Sequence, residues 1–173
     1  SYSQLVNAST APVSSFYAAA NIGCAPFTAS FTNTSANNPT GIEWHFPGGQ
    51  PATSTLFNPS VAYDLPGSYD VTLITTNLNG SDTLILDDYI VVNTVPAVSF
   101  VFSNSETTFN FVNTGSGATS FNWAFGDGNT SNQENPSHIY AAEGNYTVNF
   151  SAANACGSVN TSQNIAAFNI PGA

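Results

Sequence analysis

Few side chains in this sequence could do chemistry. Asp127 and His138 are a carboxylate and an imidazole that could pair as general acid and base. No Ser or Cys nucleophile stands with them, and the matching places in the first half of the chain hold Gly48 and Val61. The pair therefore reads as turn and packing chemistry. His45 follows Trp44 on the opposite side of a strand and reads as exposed. Asp87 and Asp88 adjoin, with Asp82, Asn77 and Asn79 nearby, and offer the oxygen ligands that Ca2+ prefers. Their spacing is not that of a dedicated calcium loop, and the alternative is a solvated strand edge. Cys24 and Cys156 leave three states open: free thiols, one bridge within the chain, or a bridge between successive chains, which an oxidising compartment would permit. A glycosidase needs two carboxylates flanking a cleft, and neither half of the chain offers a paired set. The chain reads as non-catalytic.

The charge pattern narrows the partners. The 173 residues contain no Lys or Arg and ten Asp or Glu, a formal net charge of -10. Phosphate backbones are held by cationic side chains, so nucleic-acid binding is excluded, and anionic membrane surfaces fall on the same ground. Schiff-base chemistry and bidentate arginine clamps are also ruled out. Charged residues are 6% of the sequence, and Ser, Thr, Asn and Gln supply the polar surface instead. Such a surface repels its own copies weakly and gives trypsin nothing to cut, which suits a protein outside the cell. No run of apolar residues is long enough for a membrane-spanning helix, and no signal-type segment opens the chain.

The elements that must position these residues come twice. Ile42-Glu43-Trp44-His45-Phe46-Pro47-Gly48-Gly49, Asn58-Pro59-Ser60-Val61-Ala62-Tyr63 and Pro66-Gly67-Ser68-Tyr69-Asp70-Val71 form the first set. Phe121-Asn122-Trp123-Ala124-Phe125-Gly126-Asp127-Gly128, Asn135-Pro136-Ser137-His138-Ile139-Tyr140 and Glu143-Gly144-Asn145-Tyr146-Thr147-Val148 form the second. A repeat of this length fixes the architecture as tandem units. Helix signals are nearly absent. Short β-branched and aromatic runs separated by Gly, Pro and Asn clusters mark a sandwich or barrel. The expected strands are 13–20, 27–33, 41–46, 54–57, 68–76 and 83–92, then 97–103, 107–113, 119–125, 129–133, 145–153 and 158–168. Alternation turns Tyr69, Val71 and Leu73 inward in one unit and Tyr146, Val148 and Phe150 in the other. Asp127-Gly128 supplies the positive φ angles of a hairpin turn. The reading divides the chain into an arm over 1–11 without a counterpart in the second half, a sandwich over 12–93 and a sandwich over 94–173. Asn93-Thr94-Val95-Pro96 is the linker, stiffened by its proline.

These motifs resemble the PKD domain (polycystic kidney disease-type repeat) along nearly the whole chain, and the first unit is similar to a variant with Phe46-Pro47-Gly48-Gly49. The resemblance implies an all-β protein of two tandem immunoglobulin-like sandwiches, located outside the cell, and is similar to secreted surface proteins of Bacteroidota. It implies structural roles for Trp44, Phe46, Tyr63, Tyr69, Trp123, Phe125, Asp127, His138, Tyr140 and Tyr146. Two departures stand out. Gly48 replaces the turn aspartate, and Cys24 and Cys156 each lack the usual mate within their own unit.

Two functions compete. The first is a structural or adhesive protein whose copies assemble into a filament or matrix, with Tyr2, Leu5 and Val6 of the arm adding a strand to the exposed sheet edge of the next copy. The second is a spacer or a carbohydrate- or protein-binding module of a larger secreted adhesin or hydrolase. For this role Tyr2, Tyr17, Phe57 and Tyr89 are the aromatics able to face a sugar. No cofactor is implied beyond the candidate Ca2+.

Overall fold

A computed structural model describes residues 10–168, and these form two all-β units, residues 10–93 and 94–168. Tyr2, Leu5 and Val6 lie outside the described residues.

In the first unit, β1 (Phe16–Ala18), β3 (Phe27–Asn33) and β6 (Ser60–Tyr63) form one sheet in the order β1-β3-β6. β2 (Ile22–Cys24), β4 (Gly41–His45), β5 (Thr53–Ser54), β7 (Gly67–Asn77) and β8 (Gly80–Asn93) form the other, in the order β2-β8-β7-β4-β5. In the second unit, β9 (Phe100–Ser105), β10 (Thr108–Asn113) and β13 (Ser137–Ile139) make a sheet ordered β13-β10-β9. β11 (Ser120–Ala124), β12 (Thr130–Ser131), β14 (Gly144–Asn154) and β15 (Gly157–Ala167) make its partner, ordered β12-β11-β14-β15.

Each unit is built on one indole. Trp44 and Trp123 are both fully buried. Trp44 packs against Phe16, Phe31 and Phe46, and Trp123 against Phe100, Phe111 and Phe150. The ring N–H of Trp44 donates to the carbonyl of Leu56 at 3.0 Å, and that of Trp123 to the carbonyl of Gln133 at 2.9 Å. A buried indole needs such a partner, so the loop after β5 or β12 is held over it. Each fully buried aromatic contributes roughly 1.5–3 kcal/mol.

Asn58 and Asn135 repeat a second device. Their side-chain oxygens accept from the backbone N–H of Asn33 at 2.9 Å and of Asn113 at 2.8 Å. The carbonyls of Pro59 and Pro136, one residue on, accept from Phe31 and Phe111, each at 2.9 Å. The Asn-Pro-Ser motif thus fastens the following short strand to β3 or β10.

The units differ from the expectations in several places. β2, β6 and β13 were not expected, being three or four residues long and carrying little periodicity. The strand expected over 54–57 is confined to Thr53–Ser54, because the chain beyond leaves the sheet to cap Trp44. The segment Thr10-Ala11, read as part of an arm without counterpart, has one in Thr94-Val95, as described below.

Candidate functional site

The turn after β11 brings Asp127 and His138 together. Gly126 and Gly128 take φ of 87° and 96°, so the hairpin closes tightly around Asp127. The Asp127 Oδ2 lies 2.8 Å from His138 Nε2, with 14% and 11% of the two side chains exposed. Asp127 also accepts from the backbone N–H of Asn129 at 3.0 Å and from its side-chain amide at 2.9 Å. The His138 ring stacks on Phe125 with centroids 4.1 Å apart and meets Tyr140 edge-on at 4.6 Å. Tyr140 donates to the carbonyl of Phe125 at 2.8 Å and stacks on Tyr146, whose hydroxyl donates to Ala142 at 2.9 Å.

Electrostatics follow from these contacts. Burial pushes the Asp127 carboxyl up, but the Asn129 hydrogen bonds and then His138 outweigh it and hold the group below the usual carboxylate range. Burial, then the Asp127 charge, then Tyr146 push Tyr140 upward. In chemical terms the imidazole is held between a carboxylate and two rings. Asn129, Phe125 and Tyr140 contact the pair, and the Tyr140 hydroxyl is engaged with the Phe125 carbonyl.

The first unit fills the same place differently. Val61 is buried where His138 stands, and the backbone of Gly49 lies over it: a Cβ on Gly49 would meet Val61 Cγ1 at 2.5 Å. Tyr63 stacks near Tyr69 at 4.8 Å, and Tyr69 donates to Leu65 at 2.8 Å. Tyr63 is pushed up to about 12, by burial first and then by Tyr69. His45 pairs with Glu43 at 3.0 Å on the outer side of β4, with 41% and 57% of the side chains exposed, a geometry in which ion pairs are weak.

Asp87 and Asp88 sit inside β8, within the strand expected over 83–92. The pairing of β7 with β8 slips between Tyr69 and Val71, and Asp88 takes a φ of 49° in the resulting bulge. Its N–H donates to Asp70 Oδ1 at 2.8 Å. Among the described residues no group of three or more His, Cys, Asp or Glu is placed to hold a metal ion. Both cysteines are disulfide-bonded and neither is a free thiol.

The concavities are shallow, and their linings mix polar and apolar surface. One of about 380 Å³ is lined by Asn145, Tyr146, Thr147, Asn164, Ile165 and Ala166, and one of about 300 Å³ by Glu43, Thr53, Ser54 and Thr55. Neither is lined by Asp127 or His138. The feature that sequence reading missed is an edge. In the first unit β2 runs parallel to β8, pairing Ile22 with Val91 and Cys24 with Asn93. In the second unit β15 ends its sheet, and among the described residues no strand pairs with its outer side. The missed β2 is what makes this contrast visible.

The solved PKD1 domain of Vibrio anguillarum Epp is 23% identical, with a TM-score of 0.43 over 45% of this chain and 99% of that one. The PKD1 domain from the Vibrio cholerae metalloprotease PrtV is 27% identical, with a TM-score of 0.41 over 42% of this chain and 96% of its own. The I67–I69 fragment of titin is 13% identical and superposes with a TM-score of 0.58 over 91% of this chain and 66% of that one, a likeness of immunoglobulin-like fold alone. No curated protein matches the chain. The PKD domain family matches residues 9–92 and again 95–168, so the chain belongs to that family, as a tandem pair of its domains.

Proposed function

We propose that this chain is a non-catalytic extracellular structural protein whose copies self-associate into a filament or matrix through sandwich surfaces and the N-terminal arm. PKD domains are typically extracellular, non-catalytic modules of larger proteins, and among the described residues no helix is long and apolar enough to cross a membrane. The observation that carries the reading is the edge of β15. Exposed edges recruit further strands, and proteins commonly blunt them with Lys, Pro or inward charge. The eleven residues Gly157–Ala167 contain no Pro and no charged residue. The equivalent edge in the first unit, that of β8, is paired with β2 over Val91, Val92 and Asn93 and carries Asp82, Asp87 and Asp88 along the rest. The occupant that fits β15 is the arm of a second copy, where Tyr2, Leu5 and Val6 supply apolar side chains. Head-to-tail addition of this kind gives an open polymer.

Negative-stain microscopy and light scattering of the full chain, beside a chain lacking residues 1–9, test the reading. Polymer from the first and monomer from the second are expected. Equal polymer from both removes the arm's role, and a full chain that stays monomeric removes self-association.

The second reading, a spacer or binding module within a larger secreted protein, is favoured by the exposure of Tyr17 and Phe57, which leaves two rings available to a glycan. Tyr89 is engaged, edge-on to Phe16 and accepting from the Ala18 N–H at 2.9 Å. Glycan binding by a monodisperse monomer, lost on Tyr17→Ala or Phe57→Ala, would support it over the first.

A further inference from the structure

The chain entering the second unit is held by one side chain. Asn154 Nδ2 donates to the carbonyl of Thr94 at 2.8 Å and to that of Gly117 at 2.9 Å, while its oxygen accepts from the Cys156 N–H at 2.8 Å. One amide thus joins the incoming linker, a loop and the β14–β15 turn. Gly157, at φ 139°, keeps the turn close: a Cβ there would lie 3.2 Å from Val95 Cγ1. Pro96 is buried, and Ala97 bridges Ser116.

Every one of these contacts recurs in front of the first unit. Asn77 Nδ2 donates to Thr10 at 3.0 Å and to Asn37 at 2.9 Å, and its oxygen accepts from Asn79 at 2.8 Å. A Cβ on Gly80, at φ 146°, would lie 3.3 Å from Ala11 Cβ. Pro12 is buried, and Val13 bridges Ala36. Asn37 and Gly117 take the same left-handed conformation, at φ 63° and 77°. Thr10-Ala11-Pro12 is therefore seated on its unit as the linker Thr94-Val95-Pro96 is seated on the other. Asn37 adds a bond that Gly117 cannot make, donating to the carbonyl of Ala11 at 2.9 Å.

We infer that Asn77, assisted by Asn37, is a positioning residue for a joint: it fixes where the chain before Thr10 leaves the first unit, so that a preceding β-sandwich, supplied by a second copy, meets that unit through the same seat that serves the linker within one chain. The identity of the occupant rests on the self-association proposed above; the seat itself does not.

The test compares the native full chain with Asn77→Asp, which keeps the acceptor for Asn79 and removes both donations, and with Asn37→Gly, which copies Gly117. By hydrogen exchange on unassembled chains, the amides of Thr10, Ala11 and Val13, the last of which donates to Ala36, should exchange about tenfold faster in Asn77→Asp, while those of β3, β4 and β7 stay as in the native chain. Polymerisation of Asn77→Asp should slow about tenfold or yield fibres of irregular twist, with Asn37→Gly between it and the native chain. Native exchange in residues 10–13 of Asn77→Asp, or native polymer from it, overturns the inference and leaves self-association standing. A native chain that does not polymerise overturns self-association, and with it the second copy as occupant, whereas the exchange measurement still decides the seat.

Discussion

The hydroxyl of Tyr140 donates to the carbonyl of Phe125 at 2.8 Å, and its counterpart in the first unit, Tyr63, has no partner for a fully buried hydroxyl. The cause lies in the adjoining turn. Phe46, which matches Phe125, already gives its carbonyl to the N–H of Gly49 at 2.9 Å. The longer turn Pro47–Pro51 returns the Gly49 N–H to that carbonyl and pairs Gln50 with Ala62, whereas in the shorter turn Gly126–Gly128 the Phe125 carbonyl accepts from Tyr140.

Opposite effects of one substitution follow. Tyr140→Phe strands the Phe125 carbonyl and should cost about 1–2 kcal/mol, while Tyr63→Phe removes an unpaired hydroxyl and should be neutral or slightly stabilising. Urea unfolding read by hydrogen exchange, resolved to each unit, checks this. Equal losses in the two units would show that Tyr63 has a partner after all.

Acid should act on the two units unequally. The folded Asp127 carboxyl lies below the usual carboxylate range, so it contributes stability that is fully present above the unfolded value of about 3.9 and is lost as pH falls through the lower folded value. The first unit has Gly48 in its place. Below about pH 4 the second unit should therefore lose more stability than the first, and Asp127→Asn should flatten that dependence while lowering stability at neutral pH. An Asp127→Asn chain with the native acid profile would rule out this carboxylate as the source.

The turn glycines separate strain from space. Gly126 and Gly128 both have positive φ, but a Cβ on Gly126 would sit 2.7 Å from the Thr147 carbonyl oxygen, whereas on Gly128 it would meet nothing within 4 Å. Gly128→Ala should cost about 1–2 kcal/mol from backbone conformation alone. Gly126→Ala adds a clash with backbone that cannot move aside, so its cost should exceed that of Gly128→Ala by more than about 1 kcal/mol. Thermal unfolding of the two variants gives the difference, and equal costs would mean the turn shifts freely.

Legibility in the sequence tracked side-chain size and period. Trp44, Trp123 and the inward residues of β7 and β14 declare themselves, because a large apolar residue at every second place has few other uses in a chain this polar. Ile22-Gly23-Cys24 declares nothing: it is three residues with a central glycine, and it becomes a strand only because β8 is there to pair with it. The kinship of Thr10-Ala11-Pro12 to Thr94-Val95-Pro96 was hidden for a related reason. The excursion through β2 lengthens the first unit, so the spacing that aligns the tryptophans does not align the linkers. The partnership of Asp127 with His138 was readable as a turn residue and a packed ring, but the Asn129 bonds and the Phe125 stack depend on backbone geometry that residue types do not announce.

The cysteines give a last, chemical check. Both Cys24 and Cys156 are disulfide-bonded, which removes the free-thiol state left open by the sequence. Thiol titration of the unreduced, denatured protein should detect none, and after reduction it should detect both cysteines of the chain. Loss of a native disulfide commonly costs about 2–5 kcal/mol, so reduction should also lower the urea midpoint. A reactive thiol in the unreduced protein would show that the oxidised state is not the native one.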